Sequence, residues 1–355
     1  MTWQPLSLLV TGGAGFIGAN FVHRMRRRHP NCRVVVLDAL TYAGNRANLD
    51  GIGQDEGFVF VHGDIRDRPM VEKLLERHAI DAVVHFAAES HVDRSISGPE
   101  AFVDTNVVGT HALLMACRSA WLERAVVPTH RFQHVSTDEV YGSLGPADPA
   151  FTESTPYAPN SPYSASKAAA DHLVRAYART YGLAATITNC SNNYGPYQYP
   201  EKLIPVMIMK ILAGEPLPVY GDGRNVRDWL YVEDHCAGLE LVLLQGVAGE
   251  TYNIGGGAEL ENIELVRRLC TVADTAFAQD RQLRQRFPRC PAARTEPCLS
   301  LLSFVTDRLG HDRRYAIDAS KIVRELGYLA ATDFDSGLCT TFQWYLDHES
   351  WWRRG

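Results

Sequence analysis

Short apolar runs alternate with helical patterns through the first half of the chain. The runs, rich in β-branched residues, predict strands at 6–10, 33–37, 58–62, 82–86 and 132–136. Between several of these runs, apolar residues recur at the spacing of a buried helix face. Parallel strands need crossovers that are long enough to contain a helix. The pattern therefore predicts an α/β fold built on a doubly wound parallel sheet.

The regular alternation weakens after residue 190. Prolines break helices and central strands, and they predict loops and short elements here at Pro196, Pro200, Pro205, Pro216 and Pro218. A second irregular stretch, 281–300, contains arginines, prolines and two cysteines, and we expect an exposed insertion or flap. We interpret the chain as a first domain over 1–190, to which it returns near 228–255, and a smaller mixed α/β domain over 191–355.

A glycine-rich turn follows the first predicted strand. The segment TGGAGFIG has the spacing of a dinucleotide-binding turn at Gly12, Gly13, Gly15 and Gly18. Glycines make the turn tight, let the backbone approach a pyrophosphate and let the next helix pack on its strand. A glycine turn without a ligand is the alternative. Asp38 favours the functional interpretation, because a carboxylate at the end of the second strand accepts ribose hydrogen bonds and repels a 2′-phosphate. We predict a Rossmann-type domain that binds NAD rather than NADP.

A tyrosine and a lysine four residues apart form the second candidate motif. Pro162 suits the first turn of a helix, and one helical turn places Tyr163 and Lys167 on the same face. A lysine ammonium and the positive nicotinamide favour the phenolate, which makes Tyr163 a base near neutral pH. A surface tyrosine beside a lysine is the alternative. Downstream of a dinucleotide turn, the combination resembles the extended short-chain dehydrogenase/reductase superfamily.

Two adjacent carboxylates form the third motif. Thr137, Asp138 and Glu139 follow an apolar strand and lie at the carboxyl end of the predicted sheet, where open α/β folds bind ligands. A solvated turn is the alternative interpretation. An acid and a base together are what elimination of water requires, since one protonates the departing hydroxyl and the other removes a carbon-bound proton.

At this point several segments resemble the dTDP-glucose 4,6-dehydratases. They are AAESHVDRS (87–95), TDEVYG (137–142), NNYGPY (192–197), PEKLIP (200–205), 221–235 and DRLGHDRRY (307–315). The resemblance covers nearly the whole chain. This sequence departs from the family at Leu309, where proline is usual, and in a longer insertion over 276–300.

The resemblance implies a reaction in which oxidation precedes water loss. Tyr163 takes the proton of the sugar 4-hydroxyl while hydride leaves C4 for NAD, and Lys167 tunes Tyr163 and holds the nicotinamide ribose. The C4 ketone acidifies the C5 hydrogen. Glu139 is then the C5 base, Asp138 the acid for the C6 hydroxyl, and Thr137 holds the C4 oxygen. Hydride returns to C6, which gives the 4-keto-6-deoxy sugar.

The motifs and the resemblance together assign binding residues. For NAD they are Gly12, Gly13, Gly15, Phe16, Ile17, Gly18, Asp38, Ala39, Leu40, Thr41, Asp64, Ile65, Phe86, Ala87, Ala88, Thr105, Tyr163, Lys167 and Asn193. For the nucleotide sugar they are Ser90, Thr137, Asn192, Lys202, Leu203, Pro218, Val219, Tyr220, Arg227, Asn262, Asp307, Arg308 and His311. Among the latter, basic side chains match a diphosphate, although any one of them alone is equally well a solvated surface charge.

Composition narrows the remaining classes of function. A formal net charge of −6 argues against a broad cationic face for nucleic acid. The cysteines lack zinc-ligand spacing, and we expect reduced thiols, no metal site, and packed roles for His85 and His134. With neither a signal segment nor a long apolar run, we expect a cytoplasmic protein without membrane contact. In the superfamily, helices corresponding to 101–120 and 163–181 commonly pair in a homodimer.

Other interpretations remain open from the sequence. The same fold serves UDP-sugar 4,6-dehydratases and nucleotide-sugar epimerases or decarboxylases, and a catalytically silent NAD-binding sensor is the alternative of another class. Epimerisation at C4 needs no acid and base for C6 and C5, so Asp138 and Glu139 favour a dehydratase. Intact Tyr163 and Lys167 weigh against a silent sensor.

Overall fold

A computed structural model describes residues 3–53, 56–307 and 311–353. The strands are β1 (Ser7–Thr11), β2 (Arg33–Asp38), β3 (Phe58–His62), β4 (Ala82–His85), β5 (Arg131–Thr137), β6 (Ala185–Cys190), β7 (Asn192–Tyr194), β8 (Leu217–Tyr220), β9 (Val226–Tyr231), β10 (Thr251–Ile254), β11 (Glu259–Glu261) and β12 (Leu302–Val305). The five strands predicted from apolar runs are confirmed as β1 to β5, with ends that differ by one residue at most.

Helices connect these strands. They are α1 (Phe16–Arg28), α2 (Arg68–Arg77), α3 (Val92–Ser97), α4 (Glu100–Phe102), α5 (Thr110–Arg118), α6 (Pro162–Tyr181), α7 (Leu203–Ala213), α8 (Val232–Gln245), α9 (Asn262–Gln279), α10 (Arg281–Arg286), α11 (Ser320–Leu326), α12 (Phe334–Asp347) and α13 (Glu349–Trp352). Wider π-helical turns, Val103–Gly109 and Ser119–Glu123, flank α5, and short 3₁₀ turns lie at Arg46–Leu49, Asp138–Tyr141, Pro291–Arg294 and Cys298–Leu301.

The main sheet has seven parallel strands in the order β3-β2-β1-β4-β5-β6-β10. Alternate residues of a strand face opposite sides of a sheet. Leu8 and Val10 of β1 pack into the cluster that contains α1 and α8, whereas Leu9 packs into the cluster that contains α2 and α5. Both faces are apolar and covered by helices, which confirms the predicted doubly wound Rossmann-type architecture.

A smaller mixed part follows the main sheet. β11, β9 and β7 form one sheet with an antiparallel and a parallel pairing, and β12 pairs in parallel with β8. Its separate apolar core joins α7, α9 and α12. The expectation of only short elements among the prolines was wrong for α7, an 11-residue helix. Pro205 is its third residue, in the first turn, where a backbone N–H has no intrahelical acceptor to lose.

The stretch 281–300 is packed rather than an exposed flap, which corrects the prediction from sequence. Leu283, Phe287 and Cys290 are buried in the core of the smaller part. Gly214 ends α7 so close to this stretch that a Cβ there would lie 2.2 Å from the carbonyl oxygen of Arg289. The arginines and prolines of this stretch alternate with apolar residues that pack against α9, and that apolar pattern was not recognised in the sequence.

Other residues singled out in the sequence have packed positions. His85 and His134 are buried, and Thr11 Oγ1 and Thr110 Oγ1 lie 2.7 and 2.9 Å from the ring nitrogens of His85. All eight cysteines are free thiols. Near the end of the chain, Trp351 Nε1 donates to Asn48 Oδ1 at 2.7 Å. Among the described residues, no helix combines the length and apolarity needed to span a bilayer.

Candidate active site

The glycine turn is compact because two of its positions leave no room for a side chain. Gly12 has a φ of +69°, and a Cβ there would lie 2.6 Å from the backbone nitrogen of Ala87. A Cβ on Gly18 would lie 2.3 Å from the carbonyl oxygen of Gly12. Gly15 is the N-cap of α1. The turn therefore brings backbone N–H groups and the positive end of a helix to one wall of a cleft, an arrangement suited to a pyrophosphate.

Asp38 is held beside this turn. Its Oδ2 accepts a hydrogen bond from the backbone N–H of Ala14, and its Oδ1 accepts one from Leu40, each at 2.8 Å. Burial raises the pKa of the carboxyl group, and the two N–H donors oppose that shift. Each carboxylate oxygen has further acceptor capacity. The side chain is thus fixed in orientation and still able to accept bonds from a ribose.

A cavity of about 390 Å³ runs from this turn to α6. Most residues predicted to bind NAD line it: Gly12, Gly15, Phe16, Ile17, Gly18, Asp38, Ala39, Thr41, Asp64, Ile65, Phe86, Ala87, Ala88, Thr105, Tyr163, Lys167 and Asn193. Gly13 and Leu40 are not among its lining residues. A Cβ on Gly13 would lie 2.8 Å from a methyl of Val36, and Leu40 packs against the apolar core, so both shape the turn from behind.

The predicted base and its lysine lie at the far end of the cavity. Ser161 and Ser164 form a capping box, with Pro162 in the first turn, which fixes where α6 begins. Tyr163 and Lys167 are both buried. Lys167 Nζ donates to the carbonyl oxygen of Val135 at 2.8 Å. The helix start therefore aims both functional groups at the end of β5.

The surroundings of Tyr163 within the protein oppose ionisation of its phenol. Burial, and next the charge of Glu139, hold the pKa of Tyr163 well above its ordinary value, while a hydrogen bond with Thr137 opposes that shift. Burial also lowers the pKa of Lys167. Lys167 is not among the largest influences on the phenol pKa, and stabilisation of the phenolate by Lys167 together with the positive nicotinamide stays a prediction.

Asp138 has the environment of a proton donor. Burial raises its pKa well above the ordinary value, Glu139 and Asp228 raise it further, and Arg227 opposes them. Its Oδ2 is buried and has no hydrogen-bond partner among the described residues. Glu139 is half-buried, and its backbone N–H donates to Thr137 Oγ1 at 3.3 Å. The adjacent carboxylates therefore differ, because burial and anionic neighbours raise the pKa of the first.

Part of the predicted sugar-binding set shares this cavity. Its members are Ser90, Thr137, Asn192, Lys202 and Leu203. Lys202 Nζ donates to the carbonyl oxygen of Ser90 at 2.8 Å, which joins the segment before α7 to the segment after β4. Asn192 Oδ1 is buried and has no hydrogen-bond partner within the described ranges.

The rest of that set lies on neighbouring elements outside the lining of this cavity. It comprises Pro218, Val219 and Tyr220 on β8, Arg227 on β9, Asn262 at the start of α9, and Asp307 and His311. His311 Nδ1 lies 2.6 Å from Asp307 Oδ1, and the His311 ring lies 6.2 Å from that of Tyr220. The positive charge of Arg227 lowers the pKa of Asp138, so this group of residues and the acid–base set interact electrostatically. The predicted Arg308 and the unusual Leu309 lie outside the described residues.

Sequence reasoning missed some residues that line the cavity. Glu89 is buried, burial raises its pKa, and its Oε2 has no hydrogen-bond partner in the described part of the chain. It belongs to the matched segment 87–95, which was the available signal. Tyr42 donates to Glu201 Oε1 at 3.1 Å across the cleft. That pair had no local signal, because its members are far apart in the chain.

Known proteins resemble this chain over almost its full length. A family model described as GDP-mannose 4,6 dehydratase matches residues 9–341. A dTDP-glucose 4,6-dehydratase of Xanthomonas campestris is 57% identical over 347 residues, which is 97% of this chain and 94% of that protein. One of Escherichia coli is 50% identical and covers 98% of this chain and 94% of its own length.

Solved structures give the same result. The dTDP-glucose 4,6-dehydratase of Streptomyces venezuelae, with NAD and a second ligand bound, has a TM-score of 0.85 at 48% identity and covers 98% of this chain and 99% of that one. The UDP-glucose 4-epimerase of Thermotoga maritima, with UDP-glucose, has a TM-score of 0.79 at 27% identity, with 96% and 99% covered. From its motifs, its fold and these relatives, the chain belongs to the dTDP-glucose 4,6-dehydratase family.

Proposed function

We propose that the protein is an NAD-dependent dTDP-glucose 4,6-dehydratase of deoxysugar biosynthesis, which converts dTDP-glucose to dTDP-4-keto-6-deoxyglucose and water. The observation that carries the proposal is the acid–base set at the end of β5, where buried Asp138 has a raised pKa next to Glu139 and both line one cavity with Tyr163 and Lys167. Elimination of water needs a proton donor and a proton acceptor at adjacent carbons. The relatives with this activity match over nearly the whole chain.

The residues present fit NAD. The close approach at Gly12 and Gly18 forms a cradle that a Cβ would fill, and buried Asp38 stands at the end of β2 where a ribose is recognised. The residues that would hold the cofactor are those assigned above, from Gly12 to Asn193. When bound, NAD supplies an acceptor for hydride from C4 of the sugar and a donor of hydride to C6.

Tyr163 and Thr137 serve the first oxidation. Tyr163 takes the proton of the 4-hydroxyl, and Thr137, whose hydroxyl lowers the pKa of Tyr163, holds the C4 oxygen. Burial alone makes the phenol hard to ionise, so Lys167 and the positive charge of the cofactor supply the stabilisation that the phenolate requires.

Glu139 and Asp138 serve the elimination. Once C4 is a ketone, Glu139 removes the acidified C5 proton, Asp138 gives its proton to the C6 hydroxyl, and the C6–O bond breaks with loss of water. A proton then returns to C5. The raised pKa of Asp138 suits the donor, and the half-exposed position of Glu139 suits a group that must be anionic before it acts.

We further propose that the nucleotide diphosphate is held by the basic side chains Lys202, Arg227, Arg308 and His311. Planar guanidinium groups match phosphate oxygens in pairs. The sugar and base are assigned to Ser90, Thr137, Asn192, Leu203, Pro218, Val219, Tyr220, Asn262 and Asp307. The buried amide oxygens of Asn192 and Asn262, which lack hydrogen-bond partners in the described ranges, support this assignment.

An epimerase is the nearest competing function, since the solved UDP-glucose 4-epimerase shares the fold. Transfer of a hydrogen at C4 alone would leave the buried Asp138, with its raised pKa, without a role. UDP-hexoses are the alternative substrates, so the hydrogen-transfer assay is run with dTDP-glucose and, in parallel, with UDP-glucose.

The path of one hydrogen tests the proposal. With dTDP-glucose deuterated at C4, we expect a product deuterated at C6, and with unlabelled substrate in heavy water we expect deuterium at C5. Mass spectrometry with fragment analysis reads both positions. The Tyr163→Phe variant is the matched control, since it removes one hydroxyl and should stop the transfer.

Other outcomes would contradict the dehydratase. An epimerase returns the label to C4, a simple dehydrogenase loses it from the sugar, and a silent sensor moves nothing. Turnover of UDP-glucose in preference to dTDP-glucose would contradict thymine as the nucleobase of the substrate.

We also propose that the enzyme acts in the cytoplasm as a homodimer. The free cysteines support a reducing compartment. Exposed Val103 and Val108, on the helical turns next to α5, and Tyr181 at the end of α6 support an interface on these elements.

A further inference from the structure

A buried aspartate joins the two elements that carry the acid–base set. Asp171 lies on α6, one turn after Lys167 and two turns after Tyr163, so the three share one helix face. Asp171 is fully buried. Its Oδ2 accepts hydrogen bonds from Ser136 Oγ and Tyr157 OH, each at 2.9 Å. One carboxylate therefore ties α6 to the end of β5.

The second carboxylate oxygen and the lysine ammonium both lie near one ring nitrogen of His134. His134 Nε2 lies 3.2 Å from Asp171 Oδ1 and 3.4 Å from Lys167 Nζ. All three side chains are buried. Burial, and next the charge of Lys167, hold the pKa of His134 well below its ordinary value, so the imidazole is neutral at neutral pH. Asp171 and Lys167 are thus the charged pair of this cluster.

Burial and charge act in opposite directions on that pair. Burial lowers the pKa of Lys167, and Asp171 is the first influence opposing it. Burial raises the pKa of Asp171 to about 6, with Lys167 as the first opposing influence. Each charge supports the other, as expected for opposite charges inside a protein. The titratable and charged groups that face Asp171 from α6, β5 and the adjoining loops are Lys167, Arg175, His134, Tyr141 and Tyr157.

We propose that Asp171 is a positioning residue for the catalytic base: as a carboxylate it holds Lys167 as an ammonium ion on the helix face that carries Tyr163, and it anchors the end of β5. An ammonium ion favours the phenolate, so loss of the carboxylate charge makes Tyr163 harder to ionise. The inference rests on the proposed function, which makes Tyr163 the base. A carboxylate that only closed a buried hydrogen-bond network would stabilise the fold without affecting that ionisation.

Asp171→Asn tests the charge at nearly constant shape. In the pH profile of kcat/KM for dTDP-glucose, we expect the midpoint of the acid limb to rise by about one unit, with about tenfold lower activity below it that recovers at higher pH. Asp171→Glu, which restores the charge, should return the midpoint toward that of the wild type. The control is Val174→Ala, a buried apolar change on the same helix. It should lower the melting temperature and leave the midpoint unchanged.

A milder variant and a readout without turnover complete the test. Tyr157→Phe removes one hydrogen bond to the Asp171 carboxylate and should raise the midpoint of the acid limb by a smaller amount. If Asp171→Asn does not fold, this variant provides the test. Ultraviolet difference titration of the holoenzyme against its Tyr163→Phe variant isolates one phenol among 15 tyrosines. Whether the wild-type enzyme converts dTDP-glucose to the 4-keto-6-deoxy sugar tests the proposed function independently of the Asp171 variants. An unchanged phenol midpoint in Tyr157→Phe and in folded Asp171→Asn overturns the inference.

Discussion

Asp138 and Glu139 are neighbours in the chain, yet their surroundings differ. Asp138 is buried among anionic groups, with Asp228 contributed by β9, whereas Glu139 is half-buried at the cavity wall. Two carboxyl groups whose environments separate their protonation states are suited to different halves of an acid–base reaction. The difference makes the two roles separable by isosteric substitution.

We therefore expect Asp138→Asn and Glu139→Gln to block different steps. Asp138→Asn should slow water loss by about 10²–10⁴-fold while C5 still exchanges with heavy water, because the base is intact. Glu139→Gln should suppress that exchange. Product formation and deuterium uptake, each followed by mass spectrometry, give the two rates.

The matched control for these substitutions is Glu325→Gln, an exposed carboxylate on α11. It should leave both rates unchanged. If both site variants eliminate water at the normal rate, the two carboxylates have no catalytic role and form only a solvated turn.

At the level of elements, the stretch 281–300 supports the two-stranded sheet of β12 and β8. Phe287 is buried, and its ring lies 6.4 Å from that of Phe277 on α9. β12 follows this stretch and pairs with β8, which carries Pro218 to Tyr220 of the proposed nucleotide site. The packing of this stretch and the position of that site are therefore connected through one strand pair.

Phe287→Ala should weaken both stability and substrate binding. Removal of a buried phenylalanine typically costs about 3–5 kcal/mol of unfolding free energy, because transfer and cavity contributions add. We expect KM for dTDP-glucose to rise more than kcat falls, since the carboxylates on β5 are untouched. Denaturant unfolding and steady-state kinetics measure the two effects.

Leu299→Ala, at an exposed position in the same stretch, is the control, and should change stability by less than about 0.5 kcal/mol. An unaltered unfolding midpoint in Phe287→Ala would contradict the packed arrangement.

At the level of the whole molecule, apolar side chains remain exposed next to the NAD-binding cleft. Val103 and Val108 are each 50% exposed, in the same helical turn that carries Thr105 of the proposed NAD site. Arg118 on α5 stacks on Tyr181 at the end of α6, so the two helices present one surface. A homodimer formed there would connect assembly to the wall of the cofactor site.

Val103→Asp should shift the protein from dimer to monomer, because a charge would be buried at the interface without a partner. Sedimentation velocity over a concentration series measures the shift. Leu329→Asp, which changes an apolar residue that is 76% exposed after α11, is the control and should leave the mass unchanged. A wild-type protein that sediments as a monomer at all concentrations would exclude the interface.

Local patterns in the chain were sufficient for the framework of the fold. The positions of β1 to β5, the glycine turn before α1, and the helical register of Tyr163 and Lys167 follow from apolar spacing, glycine geometry and the pitch of a helix, which depend on neighbours in sequence. The same holds for the position of Asp138 and Glu139, because a polar pair after a buried strand must lie at the strand's end.

Only the tertiary structure determined the pKa shifts of the site residues and the contacts that distant parts of the chain make with them. The pKa of Asp138 depends on Asp228 and Arg227, about 90 residues away in sequence, and that of Tyr163 on burial that no local pattern reports. The packing of 281–300 and the contacts of Asp171 also come from distant elements. Burial and electrostatic interactions act through space, so residues far apart in the chain determine how each group in the site behaves.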